Sequence, residues 1–413
     1  MTRLLADLDR DGRLLFATRA ARMFAYGSVA VVLVLYLAAV GLPDPAIGLL
    51  LSLTLVGDTV ISLWLTTHAD RAGRRRVLLV GAALMVGAGA VFAVTREPLL
   101  LLAAATIGVI SPSGNEVGPF LAVEQAALSQ RIDATRRTSV FAWYNLVGSV
   151  ATALGALSAG LLAGALQSGG TAPLESYRAV VLAYAVIGVV LALGFLQLSP
   201  AVETSAAGDP SIARRLGLHR SRGVVLRLSA LFSLDAFGGG LVTQSLMAYW
   251  FHLRWGVEPA VLGAIFFGAN ILAAVSALSA AGLAARFGLI RTMVYTHLPS
   301  NVLPILVPIM PNLPLAVLVL LGRFSISQMD VPTRQSYTMA VVDPDERSAA
   351  AGVTGIARTM GASVSPLIAA PLVGMASLAA VPFYLAGGLK IAYDLILYRL
   401  FSSAPTPEER EDH

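Results

Sequence analysis

Cysteine is absent from the 413 residues, and charged side chains make up only 13% of them. The first absence excludes disulfides and thiolate metal ligands. The second lies far below the share of about 25% that soluble globular proteins carry, so this chain cannot build a water-facing surface of ordinary size. The five histidines are scattered and lack the clustered spacing of a metal site. We therefore expect neither a metal site nor a cofactor.

Apolar sequence takes the place of the missing charge. Hydrophobic residues form 56% of the chain, and they recur in blocks of about 20 residues, long enough to cross a membrane as a helix. The continuous apolar run at residues 29–40 lacks the alternation of a membrane β-strand. The first block has the length of a full span, so we expect no cleaved signal peptide. These features predict an all-α polytopic membrane protein.

The apolar blocks predict twelve transmembrane helices, at residues 16–40, 46–67, 77–95, 98–127, 138–166, 177–199, 224–251, 258–284, 292–310, 314–340, 349–376 and 378–400. Arginine is concentrated in the terminal segments and the even-numbered connections, whereas the odd-numbered connections hold only Arg96, Arg178 and Arg254. Basic residues prefer the cytoplasmic side of a membrane. Both termini are therefore expected in the cytoplasm, in the cell's inner (plasma) membrane. The net charge of +5 indicates contact with the lipid bilayer and not with nucleic acid.

The two halves of the chain resemble each other. Phe24 and Tyr36 in the first span recur with the same spacing as Phe237 and Tyr249 in the seventh. A second repeat follows the fourth and tenth spans, where Gln125, Asp133 and Arg137 match Gln335, Asp343 and Arg347. We therefore predict two pseudo-symmetric six-helix bundles, at residues 1–199 and 224–413, joined by a cytoplasmic linker at residues 200–223.

The connection after the second span reads Asp70-Arg71-Ala72-Gly73-Arg74-Arg75-Arg76. It resembles the loop motif of the major facilitator superfamily, although Thr66 replaces the glycine that usually opens the motif. The plan of twelve spans in two halves is similar to that family over nearly the whole chain. The resemblance implies a conformational role for Asp70, Arg71, Gly73 and Arg74, with Asp70 docking against the start of the eleventh span. The alternative is a solvated turn that merely obeys the charge rule.

Ionisable side chains inside membrane spans are costly and usually face a cavity or a partner. Arg323, Asp330 and Arg334 share one face of the tenth span. Pro112 and Pro119 bracket Glu116 and predict an interruption of the fourth span. The resemblance implies that the first, fourth, seventh and tenth spans line a central cavity. The candidate residues for proton coupling or substrate binding are Glu116, Asp235, Glu124, Asp330, Arg334, Arg323, Arg22, Asn115, Tyr26 and Tyr36.

Several of these residues have a plainer structural interpretation. Glu124 is expected near the cytoplasmic end of its span, where it can pair with Arg22 or Arg137.

Burial favours the neutral form of a carboxyl group, so Glu116 or Asp235 can serve as a site that binds and releases protons. Lys390 and Asp394 are four residues apart, which predicts an intrahelical pair.

Three further polar residues, Asp58, Asn270 and Arg358, lie on spans that the resemblance places at the interface between the halves. We expect interhelical pairs there, with Arg358 bound to Asp58 or Asp235. 

The resemblance implies a secondary active transporter that moves a small solute by alternating access, not an enzyme. Proton-coupled efflux by antiport is our preferred interpretation, with proton-coupled uptake by symport as the alternative. The fourth span lacks an intramembrane arginine and the fifth lacks a Gly-Pro pair, so motifs do not establish export. A membrane sensor or a membrane-embedded enzyme is less favoured, because no output domain and no catalytic constellation is visible. The expected partners are the solute and protons, and the expected state is a monomer.

Overall fold

A computed structural model describes residues 8–130, 132, 134–203, 219–343 and 346–401, without the side chains of residues 70, 71, 134–139, 281 and 348. This part of the chain consists of helices, turns and short connections. Its α-helices are α1 (Arg10–Val40), α2 (Asp44–Ala72), α3 (Arg74–Val94), α4 (Pro98–Ile107), α5 (Phe120–Ser129), α6 (Ala134–Ser168), α7 (Pro173–Leu196), α8 (Arg222–Gly240), α9 (Gln244–Trp255), α10 (Pro259–Phe287), α11 (Leu289–Leu306), α12 (Leu313–Ile326), α13 (Asp330–Ala340), α14 (Arg347–Gly374) and α15 (Val381–Phe401). Two 3-10 turns cover Pro200–Val202 and Val307–Ile309.

The helices begin and end at residues suited to those positions. Asp9 caps α1 by accepting a hydrogen bond of 2.7 Å from the Gly12 amide, and Asn312 caps α12 in the same way through Leu315. Gly41 ends α1 in the left-handed conformation, at φ 98°, which costs glycine little. These local signals explain why the predicted spans were close to the observed helices.

The predicted twelve-helix fold is confirmed. Nine of the predicted spans are single helices, whereas the fourth, seventh and tenth are each divided into two: α4 with α5, α8 with α9, and α12 with α13. The interruption of the fourth span, which its two prolines predicted, covers residues 108–119. The sequence analysis did not predict the breaks in the seventh and tenth spans.

The described contacts divide the chain into two compact units. The first unit comprises Met1–Gly208 and Thr243–Asn270, and the second comprises Asp209–Val242 and Ile271–His413. The predicted bundle boundaries at residues 1–199 and 224–413 stay a prediction. Most of the predicted linker, residues 204–218, lies outside the described part of the chain.

The helix packing inside each unit follows the sequence repeat. In the first unit α1 packs on α6, so closely that a Cβ on Gly27 would lie 2.0 Å from the carbonyl oxygen of Thr152. In the second unit α8 packs on α14, and a Cβ on Gly361 would lie 2.3 Å from the carbonyl oxygen of Ser233. Small residues permit such close helix contacts in membranes. The two contacts join the first to the fifth span and the seventh to the eleventh, which are equivalent pairs in the two halves.

Candidate functional site

Two arginines of α1 meet two glutamates of the fourth span inside the first unit. Arg22 donates from Nη1 and Nη2 to the two carboxylate oxygens of Glu124, each at 2.7 Å, and from Nε to Glu116 at 2.9 Å. Arg19 donates to the other oxygen of Glu116 at 2.7 Å. The Arg22 and Glu124 side chains are fully buried, whereas the Glu116 side chain is 14% exposed. Of these two acids, Glu116 is therefore the one that solvent can reach.

Surrounding groups hold this arginine–glutamate cluster (Arg19, Arg22, Glu116 and Glu124) in place. The Tyr144 hydroxyl donates to Glu124, and the Tyr144 carbonyl accepts a hydrogen bond of 2.9 Å from Arg19 Nε. The Arg22 guanidinium lies 4.5 Å from the centre of the Phe120 ring. A buried ion pair is stable only when its remaining hydrogen-bonding groups are satisfied. The cluster meets that condition, and its pairing is fully defined by neighbouring side chains.

The interrupted part of the fourth span brings Glu116 into contact with the two arginines. Gly118 has φ 82°, and its amide donates to Asp58 of α2 at 2.6 Å. The Tyr26 hydroxyl donates to the Val117 carbonyl at 3.1 Å. Side chains thus satisfy backbone groups that the helix no longer pairs, as a discontinuous membrane helix requires.

Asp235 of α8 is the centre of a second cluster, which lies in the second unit. Lys390 of α15 donates to Asp235 Oδ1, while Arg358 of α14 and Arg334 of α13 approach Oδ2 at 3.1 and 3.4 Å. Arg334 also donates to Asp330 at 2.6 Å, one turn earlier on α13. Arg358 is the accessible member, with a side chain that is 32% exposed. We call these five residues the Asp235 cluster.

A histidine connects the Asp235 cluster with another buried acid. His297 of α11 places Nδ1 at 2.8 Å from Asp394 Oδ1 and Nε2 at 3.7 Å from Asp235 Oδ1. Asn301, one turn along α11, donates to Asp394 Oδ2 at 2.8 Å. The imidazole therefore lies between two carboxylates, and its second nitrogen faces Asp235.

The structure tests the predicted pairs individually. The Arg22–Glu124 pair is confirmed, and of the two partners predicted for Arg358 the structure selects Asp235. The predicted intrahelical pair of Lys390 and Asp394 is wrong, because Asp235 attracts Lys390 and Asp394 binds His297 and Asn301 instead.

The remaining candidate residues lie apart from these pairs. The Tyr36 hydroxyl donates to the carbonyl of Phe92, and Asn115 is exposed. Asn270 donates to Gln244 at 3.2 Å within the first unit. Arg323 buries its Nε, which finds no hydrogen-bond partner among the described residues. A cavity formed by these residues stays a prediction, as does an interface that includes Asp58, Asn270 and Arg358.

The loop motif is described only in part, since the side chains of Asp70 and Arg71 lie outside the described residues. Gly73 has φ 97° and precedes α3, whose first two amides, those of Arg74 and Arg75, donate to Glu203 at 2.6 and 3.2 Å. The Arg74 guanidinium donates to Gln130 at 2.8 Å. The docking predicted for Asp70 is untested.

Glu346, just before α14, holds the chain that leads into α8. Its carboxylate accepts hydrogen bonds from the amides of His219, Arg220 and Ser221, the latter two at 2.9 Å. Burial by itself would raise the pKa of this carboxyl, but the three amide donors outweigh it and lower the pKa of Glu346 to about 2. These charge-assisted hydrogen bonds thus hold the end of the predicted linker in place.

Sequence reasoning missed Arg19, Tyr144, His297 and Asn301. Arg19 lies three residues before Arg22 on the same face of α1, so the helical period contained its signal. It was counted among the cytoplasmic arginines because it falls near the start of the first span. His297 and Asn301 are also one turn apart, but their partner Asp394 lies on a helix that no local pattern connects to them.

Comparison with known proteins agrees with this architecture. A sequence profile for the Major Facilitator Superfamily matches residues 15–366. The uncharacterized membrane protein YJR124C of Saccharomyces cerevisiae is 32% identical over 423 residues, covering 95% of this chain and 94% of that protein. The crystal structure of the nucleoside transporter NupG is similar with a TM-score of 0.75 at 14% identity, over 95% of this chain and 99% of that one. A D-xylose-proton symporter is similar with a TM-score of 0.70 at 13% identity, over 97% and 98%. At such identities the structural likeness concerns the fold alone.

Proposed function

The chain belongs to the Major Facilitator Superfamily, and on that premise we propose that it is a proton-coupled carrier that exports a small polar solute in exchange for protons. Its family and its fold make it a membrane transporter of small molecules. We further propose that it works as a monomer in the inner (plasma) membrane with both termini in the cytoplasm, following the distribution of its arginines.

The observation that carries this proposal is the buried ionic cluster in each unit. A charged side chain at the centre of a membrane costs about 2.5–3.5 kcal/mol on insertion scales, so a chain retains such groups where they serve a purpose. The first cluster joins two arginines to two glutamates. The core of the second cluster is Asp235 with three basic side chains. A proton on Glu116 or Asp235 would cancel one charge and free a basic partner. Proton binding is thereby linked to the packing of the helices that carry the cluster.

Competition at these carboxylates favours exchange. A proton and a cationic group of a solute both bind a carboxylate, and each excludes the other. Suppose that a carrier can change its orientation only with one of two ligands bound, and that each ligand weakens binding of the other. Such a carrier moves the two ligands in opposite directions. Glu116 offers such a carboxylate, because it is the partly exposed acid of its cluster.

The charge balance indicates the class of solute. Two bases face two acids in the arginine–glutamate cluster, and Arg334, Arg358 and Lys390 face Asp235, Asp330 and Asp394 in the second unit. The accessible groups are an acid, Glu116, in one unit and a base, Arg358, in the other. This balance supports a polar or zwitterionic solute over a multiply charged ion.

Uptake by symport is the second candidate, and Arg323 is the observation that favours it. Its buried Nε lacks a partner among the described residues and would attract an anionic solute. A proton that neutralises Asp235 would strengthen this positive field, so proton and anion would bind together and move together.

The proposal is tested with purified protein in liposomes that carry an imposed pH gradient and an internal fluorescent pH probe. Small amines, carboxylates, sugars and drugs are supplied outside as a mixed panel. A proton flux that depends on a member of the panel supports coupling. If folded protein transports a panel compound without any proton movement, the coupling part of the proposal is wrong.

A further inference from the structure

Asp58 of α2 is a half-buried acid with an unusual set of contacts. Its Oδ1 accepts hydrogen bonds from the Gly118 amide at 2.6 Å and from the Ser62 hydroxyl at 3.1 Å. Among the side chains that the structure describes, none of the basic ones pairs with it. Glu116 and Asp235, in contrast, are each held by at least two basic side chains.

The groups around Asp58 supply no base that pairs with it. Glu116 faces it from the interrupted fourth span, and Tyr26 faces it from α1. Arg19 and Arg22 are already bound to Glu116. Helix α4 contributes no ionisable side chain, and the arginines at the start of α3 follow Gly73, about 22 Å along the chain from Asp58 at 1.5 Å per helical residue. A half-buried carboxyl group that no base pairs with takes up a proton more readily than one held by arginine.

The position of Asp58 is fixed by close helix packing. A Cβ on the neighbouring Gly57 would lie 1.8 Å from the carbonyl oxygen of Thr106, so α2 touches the backbone of α4 at this level. Gly118 is equally constrained: it has φ 82°, and a Cβ there would lie 2.7 Å from a Val109 methyl group. The hydrogen bond between Asp58 and Gly118 therefore joins two positions that have little freedom to move independently.

Through this hydrogen bond, the protonation state of Asp58 affects the arginine–glutamate cluster. Gly118 is two residues after Glu116. Its amide bonds more strongly to a charged carboxylate than to a neutral acid. A proton on Asp58 would weaken this contact and loosen the segment that presents Glu116 to Arg19 and Arg22.

We propose that Asp58 is the proton-binding residue of the first unit and acts on the Glu116 ion pairs through the Gly118 amide. This assignment rests on the proposed proton coupling. Asp58 takes up the proton first, and Glu116, loosened from Arg19 and Arg22, then becomes the carboxylate at which proton and solute compete.

Distances between spin labels test the assignment without knowledge of the solute. The chain has no cysteine, so a Leu99→Cys and Met375→Cys pair, at positions 72% and 53% exposed, reports on the two units without background labelling. The double-cysteine protein in nanodiscs is measured at pH 5.5 and pH 8.5, with protons as the only added ligand. We expect the distance distribution to shift with pH. Addition of Asp58→Asn should remove the shift and leave the low-pH distribution at both pH values.

Two variants control this experiment. Glu175→Gln removes an exposed acid of α7 that pairs with Arg178 at 2.9 Å, and it should keep the full pH response. Asp58→Glu retains an ionisable group and should keep a response whose midpoint is displaced. If Asp58→Asn does not fold, as judged by gel filtration and circular dichroism, Asp58→Glu decides, and an unchanged midpoint overturns the assignment.

The outcomes separate the two proposals. A full pH response in folded Asp58→Asn overturns the role of Asp58 and leaves proton coupling intact. A parent protein with no pH response overturns the assignment of Asp58, and the liposome proton flux then decides proton coupling by itself.

Discussion

Arg22 of α1 holds Glu124 of α5 through two parallel hydrogen bonds of 2.7 Å, and both side chains are completely shielded from solvent. This geometry is the bidentate pairing that makes arginine suited to carboxylates. The pair joins the first span to α5, the second helix of the broken fourth span. It therefore has a structural role even though it borders Glu116, the more exposed acid.

Breaking the Arg22–Glu124 pair on one side should be more damaging than removing both charges. Glu124→Gln leaves a buried arginine without its bidentate partner, and such a loss costs about 3–5 kcal/mol. The double variant Arg22→Gln with Glu124→Gln should recover part of that stability. Thermal unfolding followed by gel filtration ranks the stability of the single and double variants. Arg254→Gln, which replaces an exposed arginine, is the control. A double variant less stable than Glu124→Gln would contradict the structural role.

Glu116→Gln should uncouple transport from protons. The variant keeps the size of the side chain but removes the charge that Arg19 and Arg22 share. We expect a folded, correctly inserted protein whose solute exchange persists while pH-driven accumulation falls at least tenfold, a change of about 1.4 kcal/mol in the coupling free energy. Liposome uptake with and without a pH gradient measures both, and Glu175→Gln should behave as the parent. Unchanged accumulation would remove Glu116 from the mechanism.

The sequence predicted the helices and part of the first cluster because those signals are local. Span length, Pro112 and Pro119, and the helical phase of span ten can each be evaluated within one segment. Arg22 and Glu124 were paired correctly because both were expected near the same side of the membrane.

The second cluster could not be predicted in the same way. Four-residue spacing made Asp394 a sufficient partner for Lys390, yet Asp235 on α8 is the residue that Lys390 contacts. Which acid Lys390 contacts depends on how α8, α11 and α15 pack. A single sequence does not show which helices are neighbours. The same limitation hid the contact of His297 with Asp394. The breaks at the seventh and tenth spans occur at turns that have no proline at the interruption itself.

Asp235 should be far less replaceable than Lys390. Asp235→Asn removes the only acid that Arg358 and Lys390 both contact in the described structure and leaves several positive charges close together. We expect a loss of about 3–5 kcal/mol in stability. Lys390→Gln leaves Asp235 with two arginines and should cost about 1–3 kcal/mol. Chemical denaturation of the two variants in detergent gives the comparison, and equal losses would show that Asp235 is not the centre of the cluster.

We expect the hydrogen bonds between Glu346 and the segment before α8 to depend on pH. Its folded-state pKa of about 2 lies below the value of about 4.3 for an unperturbed glutamate. The carboxylate therefore stabilises the folded contact above about pH 4.3, and this stabilisation is lost as the pH falls through about 2. Hydrogen exchange at the amides of residues 219–221 should show protection at pH 6 that Glu346→Gln removes. Equal protection in both proteins would mean that the carboxylate does not hold these amides.

The direction of coupling is the central claim, and a simultaneous measurement of solute and proton movement tests it most directly. A radiolabelled compound from the panel that gives a proton signal is loaded inside liposomes at equal pH on both sides, and an acid pulse is applied outside. Exchange predicts that inward proton movement accelerates the exit of the compound and that the acid pulse no longer accelerates it in Glu116→Gln. If the acid pulse instead slows exit, and drives accumulation of the compound when it is supplied outside, the protein is a symporter and the exchange account is wrong.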